Sequence, residues 1–480
     1  VVGGLPNILV NKVLYSTLVK YDASTLAAVG DLAESWQASP DGLAWTFKLR
    51  RNVKWHDGRP FTARDVKFTF DVWLNPQVPY YLRGNLAGVK GTEIVDDFTV
   101  RVAMEKPAAS LPVLLGYLMN IIPEHLLRNV SPRDMISPVA FLRNPIGTGM
   151  FKFKEFVPGS HVHLVANDDY YGGRPNLDGI VFKIIPDIEV HVAQLQTGQL
   201  DLALLEPYQV KGLEKVSNIE IRGARQVNHY LIALNNEREF FKDRRVRQAL
   251  VYAQDREAML KNIGLGYGRL ATGPINPLMG GGFPADLKPF SYDPDKARQL
   301  LREAGWRPGR DGVLEKDGTR FSVSMIMDRG NPTRSQFGVA AKSYWGRVGV
   351  DVRLETLDFN AWLGRQRANP PTYETAVAWL ITPPDPDVSA YYQCGAGLAN
   401  AWRFCNRELD EALNKARATL DVRARARIYH RVQEIIYTEA ANVFIFYPDE
   451  IQALHRRVKG FPKIGYRDAM PWAHRIWIAD

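Results

Sequence analysis

Hydrophobic and polar residues alternate along the first part of the chain with the two-residue period of β-strands. In AWTFKLRRNVKW, the apolar residues Trp45, Phe47 and Leu49 fall on one side of an extended chain. The pattern then changes to the spacing of an amphipathic helix in ARDVKFTFDVWLN, and Thr62 precedes it as an N-cap with Asp65 three residues later. The opening segment is therefore predicted to contain strands followed by a helix that begins after Thr62.

The same two patterns recur to the end of the chain. NLDGIVFKIIPD, NHYLIALNN, FSVSMIM and VDVRLETLD have the apolar content of buried strands. An amphipathic helix is predicted after the N-cap Asp243, and long amphipathic patterns cover residues 407–418 and 422–438. Strands that alternate with helices predict an α/β architecture with mixed sheets.

The length and composition indicate a soluble protein with more than one core. A chain of 480 residues exceeds the roughly 250–300 residues that one hydrophobic core supports, so we expect two or three domains. Hydrophobic residues make up 46% of the chain, charged residues 24%, and no apolar stretch reaches the roughly 18 residues of a membrane span. The net charge is +9, but the lysines and arginines are scattered along the chain, which argues against a nucleic-acid-binding surface.

The sequence offers no motif for catalysis or cofactor binding. It has no GxSxG, HExxH, P-loop or EF-hand pattern, and GLGYG at 264–268 lacks the preceding strand of a dinucleotide site. The histidines of HVH at 161–163 are interpreted as facing solvent, because no third metal ligand is in view. DPD at 385–387 is interpreted as a rigid turn rather than a calcium site. We therefore expect no enzyme activity, no metal and no cofactor.

The two cysteines, Cys394 and Cys405, are too far apart for a CxxC redox motif. Their separation suits a disulfide that closes a short loop in an oxidising compartment, and such a loop contributes about 3 kcal/mol of stability. Two free buried thiols are the alternative. The residues alone leave both alternatives open.

Five segments taken together resemble one protein family, and they cover essentially the whole chain. In chain order they are LAESWQASPDGLAWTFKLRRNVKWHDGRPFTARDVKFTF, IGTGMFKFKEFVPGSHVHLVANDDYYGGRPNLDGIVFKIIPD, NNEREFFKDRRVRQALVYAQDREAM, YDPDKARQLLREAGW and ANVFIFYPDEIQALHRRVKGF. In this order they are similar to the extracytoplasmic solute-binding proteins of peptide-type ABC importers (family 5, the dipeptide- and oligopeptide-binding type).

The resemblance implies a bilobal α/β fold, the large type of class II periplasmic binding proteins, with a ligand cleft between two lobes joined by a hinge. The implied division is lobe I at 1–34, an inserted domain at 35–147, lobe I again at 148–255, lobe II at 256–445, and lobe I at 446–480. The bend Gly147-Thr148-Gly149 and the crossings near 255 and 445 are expected to act as the hinge.

The resemblance also implies a role. The protein is expected to capture a peptide or peptide-like solute and to deliver it to the permease subunits of an importer in the membrane. A non-peptide solute, such as an opine, an oligosaccharide, a metal chelate or haem, is the alternative within the family. We expect a monomer without a nucleic-acid partner. It is expected to be exported to the periplasm or the cell surface, either free or lipid-anchored, with the signal peptide absent from the given chain.

The residues after Trp379 line the pocket in relatives that bind dipeptides and oligopeptides. The resemblance places an aspartate for the ligand's α-ammonium three residues after this tryptophan, where this chain has Thr382. A hydroxyl carries no charge, so either another carboxylate takes this role or the ligand has no free ammonium at this point, and we expect the second. We also expect Thr382 to face solvent when the lobes are open. The cysteines resemble those of the dipeptide-binding type, in which a disulfide follows this loop.

A second ligand anchor is implied in MIMDRGNPTR, where Arg329 matches an arginine that dipeptide-binding relatives use for the ligand carboxylate. A surface salt bridge is the alternative interpretation. Asn228, His229 and Tyr230 match the strand that borders the cleft in relatives. For these three residues, ordinary strand packing is the alternative.

Overall fold

The computed structural model describes residues 5–79, 83–86, 88–135, 139–279, 287–380, 382–396 and 400–479. Helices and strands alternate along them. The helices are α1 Leu5–Leu14, α2 Ala63–Leu74, α3 Leu111–Leu118, α4 Glu124–Leu127, α5 Val139–Arg143, α6 Glu189–Gln196, α7 Glu239–Lys242, α8 Arg244–Tyr252, α9 Arg256–Asn262, α10 Pro294–Glu303, α11 Pro332–Gly346, α12 Phe359–Arg367, α13 Ser389–Tyr392, α14 Arg407–Ala418, α15 Val422–Thr438 and α16 Tyr466–Ala469. Within these ranges no helix has both the length and the apolar character to cross a bilayer.

The strands are short, as is usual in a mixed α/β protein. In chain order they are β1 Val19–Tyr21, β2 Ala28–Gly30, β3 Ala33–Ala38, β4 Ala44–Leu49, β5 Val89–Asp96, β6 Thr99–Met104, β7 Phe151–Val157, β8 His161–Ala166, β9 Gly179–Lys183, β10 Leu202–Leu205, β11 Ile219–Arg225, β12 His229–Leu234, β13 Gly268–Leu270, β14 Arg307–Pro308, β15 Leu314–Lys316, β16 Thr319–Arg320, β17 Ser322–Asp328, β18 Asp351–Leu357, β19 Thr375–Leu380, β20 Val443–Phe444, β21 Phe446–His455, β22 Val458–Lys459 and β23 Trp477–Ile478.

Side chains at the helix starts bind the free backbone N–H groups there. The Thr62 hydroxyl accepts the N–H of Arg64 (3.3 Å), and the Asp65 carboxylate accepts the N–H of Thr62 (3.0 Å), which together form a capping box at α2. The Asp243 carboxylate accepts the N–H of Arg245 (2.9 Å) at the start of α8. The N-caps predicted at Thr62 and Asp243 are confirmed.

The inserted segment is built around one antiparallel sheet with the strand order β3-β4-β6-β5. Helix α2 contacts this sheet. Phe47 and Phe70 are fully buried in the core that they share, and Trp55 is nearly so. Leu18 and Val19, which precede the sheet, lie in the same core. The segment therefore has its own hydrophobic core, which also packs against the beginning of lobe I.

Lobe I is assembled from segments that are far apart in sequence. Strands β10 and β11 both pair antiparallel with β21, and β13 pairs with the first residues of β21. Strands β7, β8 and β9 form a separate antiparallel sheet. The two ends of the chain meet in this lobe, because α1 contacts α16 and the indole N–H of Trp472 donates to the carbonyl of Tyr21 (2.8 Å).

The core of lobe II is a five-stranded mixed sheet with the order β18-β17-β19-β12-β20. Strand β12 pairs antiparallel with β19 and β20, and Leu250 of α8 shares a core with Leu301 and Phe337 of lobe II. Residues 229–253 therefore share a sheet and a core with residues that follow 256, and we propose a lobe boundary before β12 rather than at 255/256. A strand's sheet is decided by its hydrogen-bond partners, which here come more than a hundred positions later in the chain.

The chain passes between the lobes from β11 to β12 and again from β20 to β21. At the second passage only Ile445 separates the two strands. The N–H of Ile445 donates to the carbonyl of Tyr230 (2.8 Å), and its carbonyl accepts the N–H of Ala271 (3.3 Å). Neighbouring connections between the lobes are therefore hydrogen-bonded to one another.

The Gly147-Thr148-Gly149 bend lies between α1 and the inserted domain. The Gly147 carbonyl accepts the N–H of His56 (2.9 Å), and the N–H of Gly149 donates to the carbonyl of Leu14 (3.0 Å). A Cβ atom on Gly147 would lie 1.8 Å from the Leu14 carbonyl oxygen, so only glycine fits. The structure thus gives the bend a packing role, and its role as a hinge stays a prediction. Glycine allows close backbone approach as well as flexibility, and the sequence does not distinguish the two.

Cys394 and Cys405 form a disulfide with an S–S distance of 2.09 Å. This confirms the disulfide over the alternative of two free thiols. The N–H of Cys394 also donates to the Asp410 carboxylate (3.0 Å) in the first turn of α14, whose N-cap is Asn406. The disulfide therefore closes a loop that leads directly into α14.

Replacing both cysteines, Cys394→Ser with Cys405→Ser, is expected to lower the free energy of unfolding by about 3 kcal/mol, because the unfolded chain gains the entropy of an open loop. Urea unfolding of the double variant and of the wild type measures the difference. The wild type under reducing conditions should match the double variant. The prediction would be contradicted if the double variant and the reduced wild type unfolded at the same urea concentration as the oxidised wild type.

Candidate ligand cleft

The edge of lobe II that faces lobe I is where β17 and β19 end. The two strands are parallel, so their carboxyl ends lie at the same edge of the sheet, where open α/β sheets bind ligands. Asp328 ends β17, and Trp379 is the second-to-last residue of β19. Tyr230 lies opposite Trp379 in the register of β12 and β19. The structure thus brings Tyr230, Arg329 and Trp379, which were predicted separately, to one edge.

Trp379 is held between an aromatic ring and a cation. Its ring centre lies 5.4 Å from that of Trp362, with the planes 13° apart, and the guanidinium carbon of Arg334 lies 3.8 Å from its ring centre. A cation over an aromatic face contributes about 0.5–2 kcal/mol. Trp379 is half-buried, so these contacts fix the orientation of a side chain that forms part of the cleft wall.

Arg334 was not predicted as part of this site. Its guanidinium forms an ion pair with Asp328, and the side chains of the pair are 13% and 1% exposed. A carboxylate buried to this degree needs its partner, because a buried charge left alone is costly. Asp328 and Arg334 stand six positions apart across a helix start, and no motif in the sequence marks them as parts of a functional site.

Tyr230 and His229 point to opposite faces of β12. Tyr230 packs between Phe337 (5.1 Å between ring centres) and Phe446 (5.4 Å), and its burial raises the pKa of the phenol. His229 has no exposed surface and lies against Phe444 and Tyr447. Burial lowers the pKa of His229 to about 3, so the imidazole is neutral at physiological pH.

Asn228 lies at the start of β12, where the chain passes from lobe I to lobe II. Its side-chain amide donates to the Gln226 side chain (2.6 Å), and its carbonyl accepts an N–H from the Asn276 side chain (3.4 Å). It therefore helps to order the passage between the lobes.

Arg329 directly follows β17 and is exposed. Its backbone N–H donates to the carbonyl of Leu357 (2.7 Å), which fixes its main chain at the end of the sheet. No carboxylate of the described residues lies within ion-pair distance of its guanidinium. The side chain is therefore placed at the cleft edge with its charge unpaired by those residues.

Thr382 does not face solvent in this structure, in which the lobes touch; its exposure in the open form stays a prediction. It is 1% exposed, and its hydroxyl donates to the carbonyl of Val227 (3.2 Å). This bond ties the loop after β19 to the passage between β11 and β12, 155 positions away in the chain. The Thr382 hydroxyl therefore donates its proton to another part of the protein. The sequence alone could not predict this partner, because it is distant in the chain.

Asp385 and Asp387 form the rigid turn that was predicted. Asp385 binds both terminal nitrogens of Arg425 (2.9 and 2.7 Å) and accepts the N–H of Asp387 (2.9 Å). Asp387 in turn accepts the N–H of Ser389 (3.0 Å). The charge of Asp385 raises the pKa of Arg425 against the effect of burial. Both carboxylates are thus engaged in holding the cleft wall.

The two lobes touch on either side of this edge. From lobe I, the Glu206 carboxylate accepts hydrogen bonds from the Asn331 side chain (2.6 Å) and the Thr333 hydroxyl (2.5 Å). From the inserted domain, the Ser110 hydroxyl donates to Asp387 (3.3 Å). The sequence analysis did not identify these contacts, because each joins segments more than a hundred positions apart.

Comparison with known proteins assigns the chain to a family. Residues 27–400 match the model of the bacterial extracellular solute-binding proteins, family 5. The oligopeptide-binding protein AppA of Bacillus subtilis is 32% identical over 467 residues, which cover 96% of this chain and 85% of AppA. The chain belongs to family 5 of the solute-binding proteins. The dipeptide-binding protein of Escherichia coli is 29% identical over 478 residues, covering 93% of this chain and 86% of that protein.

Solved structures agree with this assignment. The structure of AppA from Bacillus subtilis in complex with a nonapeptide superposes on this family 5 protein with a TM-score of 0.88 at 30% identity, covering 100% of this chain and 95% of AppA. The bilobal α/β fold implied by the resemblance is confirmed. The carboxyl ends of β17 and β19 therefore lie at the interlobe cleft of a solute-binding protein.

Thr382→Asp is expected to destabilise this family 5 protein by about 3 kcal/mol or more, because the new carboxylate is buried against the carbonyl oxygen of Val227. Thr382→Ser is the matched control, since it keeps the hydroxyl donor. Thermal unfolding without ligand compares the two variants with the wild type. A melting temperature for Thr382→Asp equal to that of the serine variant would show that the position tolerates charge.

Proposed function

We propose that this protein is the peptide-capturing component of an ABC importer. It binds a peptide or peptide-like solute between its lobes and delivers it to permease subunits in the membrane. The proposal is carried by the match to a peptide-binding relative over nearly the whole chain, in sequence and in fold. In this role the protein is exported, works as a monomer at the cell surface or in the periplasm, and catalyses no reaction.

The cleft edge of lobe II suits such a ligand. The half-buried Trp379 is held in place by the buried Trp362 and by Arg334, and its remaining surface offers an apolar contact at this edge. Rigid aromatic side chains bind with a small loss of conformational entropy. Arg329 adds one positive charge at the same edge. These features support a ligand with an apolar side chain and an acidic group.

Arg329→Ala is expected to weaken binding of an acidic peptide ligand by at least about 2 kcal/mol, or about 30-fold in Kd, because a ligand carboxylate loses its charged partner in the closed cleft. Isothermal titration calorimetry with a ligand that co-purifies with the protein measures this. Arg353→Ala, which removes an exposed arginine from β18, is the control. Equal affinity of the Arg329 variant and the wild type would remove the acidic anchor from the proposal.

Thr382 offers no charge to an α-ammonium group, and its hydroxyl proton is donated to Val227. We therefore expect acetyl-trialanine to bind at least as tightly as free trialanine, since acetylation removes an ammonium that has no anionic partner at this position. Parallel calorimetric titrations compare the two peptides. A clear preference for the free peptide would mean that another carboxylate has taken this role. Binding of neither peptide would favour a different solute class.

A further inference from the structure

Glu206 starts the turn that follows β10 in lobe I, and its main chain is fixed from its own lobe. It precedes the 3-10 helix Pro207–Gly212: the N–H of Gln209 donates to the backbone carbonyl of Glu206 (3.0 Å), and the Gln209 side chain accepts the N–H of Glu206 (2.9 Å). Gln209 is itself buried and donates to the carbonyl of Ile188 (2.8 Å). Lobe I therefore holds the main chain of Glu206 in a defined position, from which the carboxylate reaches lobe II.

The carboxylate of Glu206 extends to the first turn of α11 in lobe II. One oxygen accepts an N–H of the Asn331 side chain (2.6 Å), and the other accepts the hydroxyl of Thr333 (2.5 Å). Asn331 is the N-cap of α11, because its side-chain oxygen accepts the N–H of Arg334 (2.8 Å). The positive end of this 15-residue helix favours a negative charge at that place.

The partners of Glu206 in lobe II are neutral and directional. No lysine, arginine or histidine of the described residues lies within 4.0 Å of its carboxylate. Its attachment therefore depends on hydrogen bonds that are lost within an ångström or two of separation, rather than on a long-range ion pair. Because β10 pairs with β21 in lobe I and α11 follows β17 in lobe II, opening the cleft breaks both bonds.

We propose that Glu206 is a clasp that fastens lobe I to the start of α11 when the cleft closes. The clasp deepens the proposed function and rests on it. A contact made only in the closed state shifts the equilibrium towards closure and strengthens the binding of any ligand that needs closure by the same factor. Glu206 thus sets affinity without touching the ligand, as a positioning residue.

The Glu206 carboxylate at the N-terminus of α11 also affects which ligands the cleft can select. A helix N-terminus is a natural site for a ligand carboxylate. Here the protein's own carboxylate occupies it by binding Asn331 and Thr333, which follow Arg329 by two and four residues. A ligand's acidic group is therefore directed to Arg329 and away from the N-terminus of α11.

A double-mutant cycle tests the clasp. Glu206→Gln removes the charge, and Thr333→Val removes one donor at nearly constant side-chain volume. Each is expected to weaken acetyl-trialanine binding by about tenfold, the scale of a hydrogen bond to a charged group. The double variant should bind acetyl-trialanine no more weakly than the single variant with the lower affinity, because both substitutions remove the same contact. Glu214→Gln, an exposed glutamate of the same lobe, is the control and should bind as the wild type does.

Small-angle scattering of the ligand-free proteins gives a second readout, which a purely structural role for Glu206 would not change. The radius of gyration should be larger in the Glu206→Gln and Thr333→Val variants than in the wild type, since the lobes open more often. If peptide does not bind the wild type, the peptide function fails, and the scattering alone decides the clasp. The clasp would be overturned if the losses of binding free energy in the two single variants added up in the double variant. It would also be overturned if all the proteins had the same affinity and the same radius of gyration.

Discussion

The hydrogen bond from Ile445 to the carbonyl of Tyr230 joins two chain segments where they pass from one lobe to the other. On one side of it, β12 and β20 lie in the sheet of lobe II, and on the other, β11 and β21 lie in the sheet of lobe I. The same two chain segments thus supply strands to both sheets, although the strands of each sheet pair only within that sheet. Any movement of the lobes must therefore bend this pair of strands together, which limits the directions in which the cleft can open.

The same arrangement explains why the cleft edge is rigid. Tyr230 is adjacent to the bond with Ile445 and lies opposite Trp379, so the aromatic wall is attached directly to the interlobe connection. Arg334 contacts Trp379 and pairs with the buried Asp328, which anchors the wall to α11. A buried ion pair adds little net stability but fixes geometry, because the desolvated charges are stable only together. Ligand contacts at this edge therefore gain from side chains that are already ordered.

Sequence patterns predicted the features whose partners lie nearby in the chain. The caps at Thr62 and Asp243 and the turn at Asp385 depend on neighbours within a few residues, and the disulfide closes a short loop. Other features of the structure depend on distant partners. The sheet to which β12 belongs and the burial of Thr382 beside Val227 are decided by residues more than a hundred positions away. No local pattern carries that information.

Two further features of the site were missed for related reasons. Arg334 and Glu206 lie near helix starts, where charged residues are ordinary. Only their positions in the folded protein distinguish them. Glu206 precedes a proline at a helix start, and its contact with Thr333 spans 127 positions. A resemblance carries over the residues that relatives use for their ligands. It does not reveal contacts by which one chain holds its own lobes together.

The charges around the cleft also bear on the ligand. Asp385 is committed to Arg425, Asp328 to Arg334, and Glu206 to the first turn of α11. Each of these carboxylates is held by donors of the protein itself, so recruiting one for a ligand's ammonium would cost the contact it already makes. Arg329 stands in the opposite situation, exposed and without an ion-pair partner among the described residues. Among these groups the unpaired charge is therefore positive, which supports the proposal of a solute with an acidic group and no free ammonium.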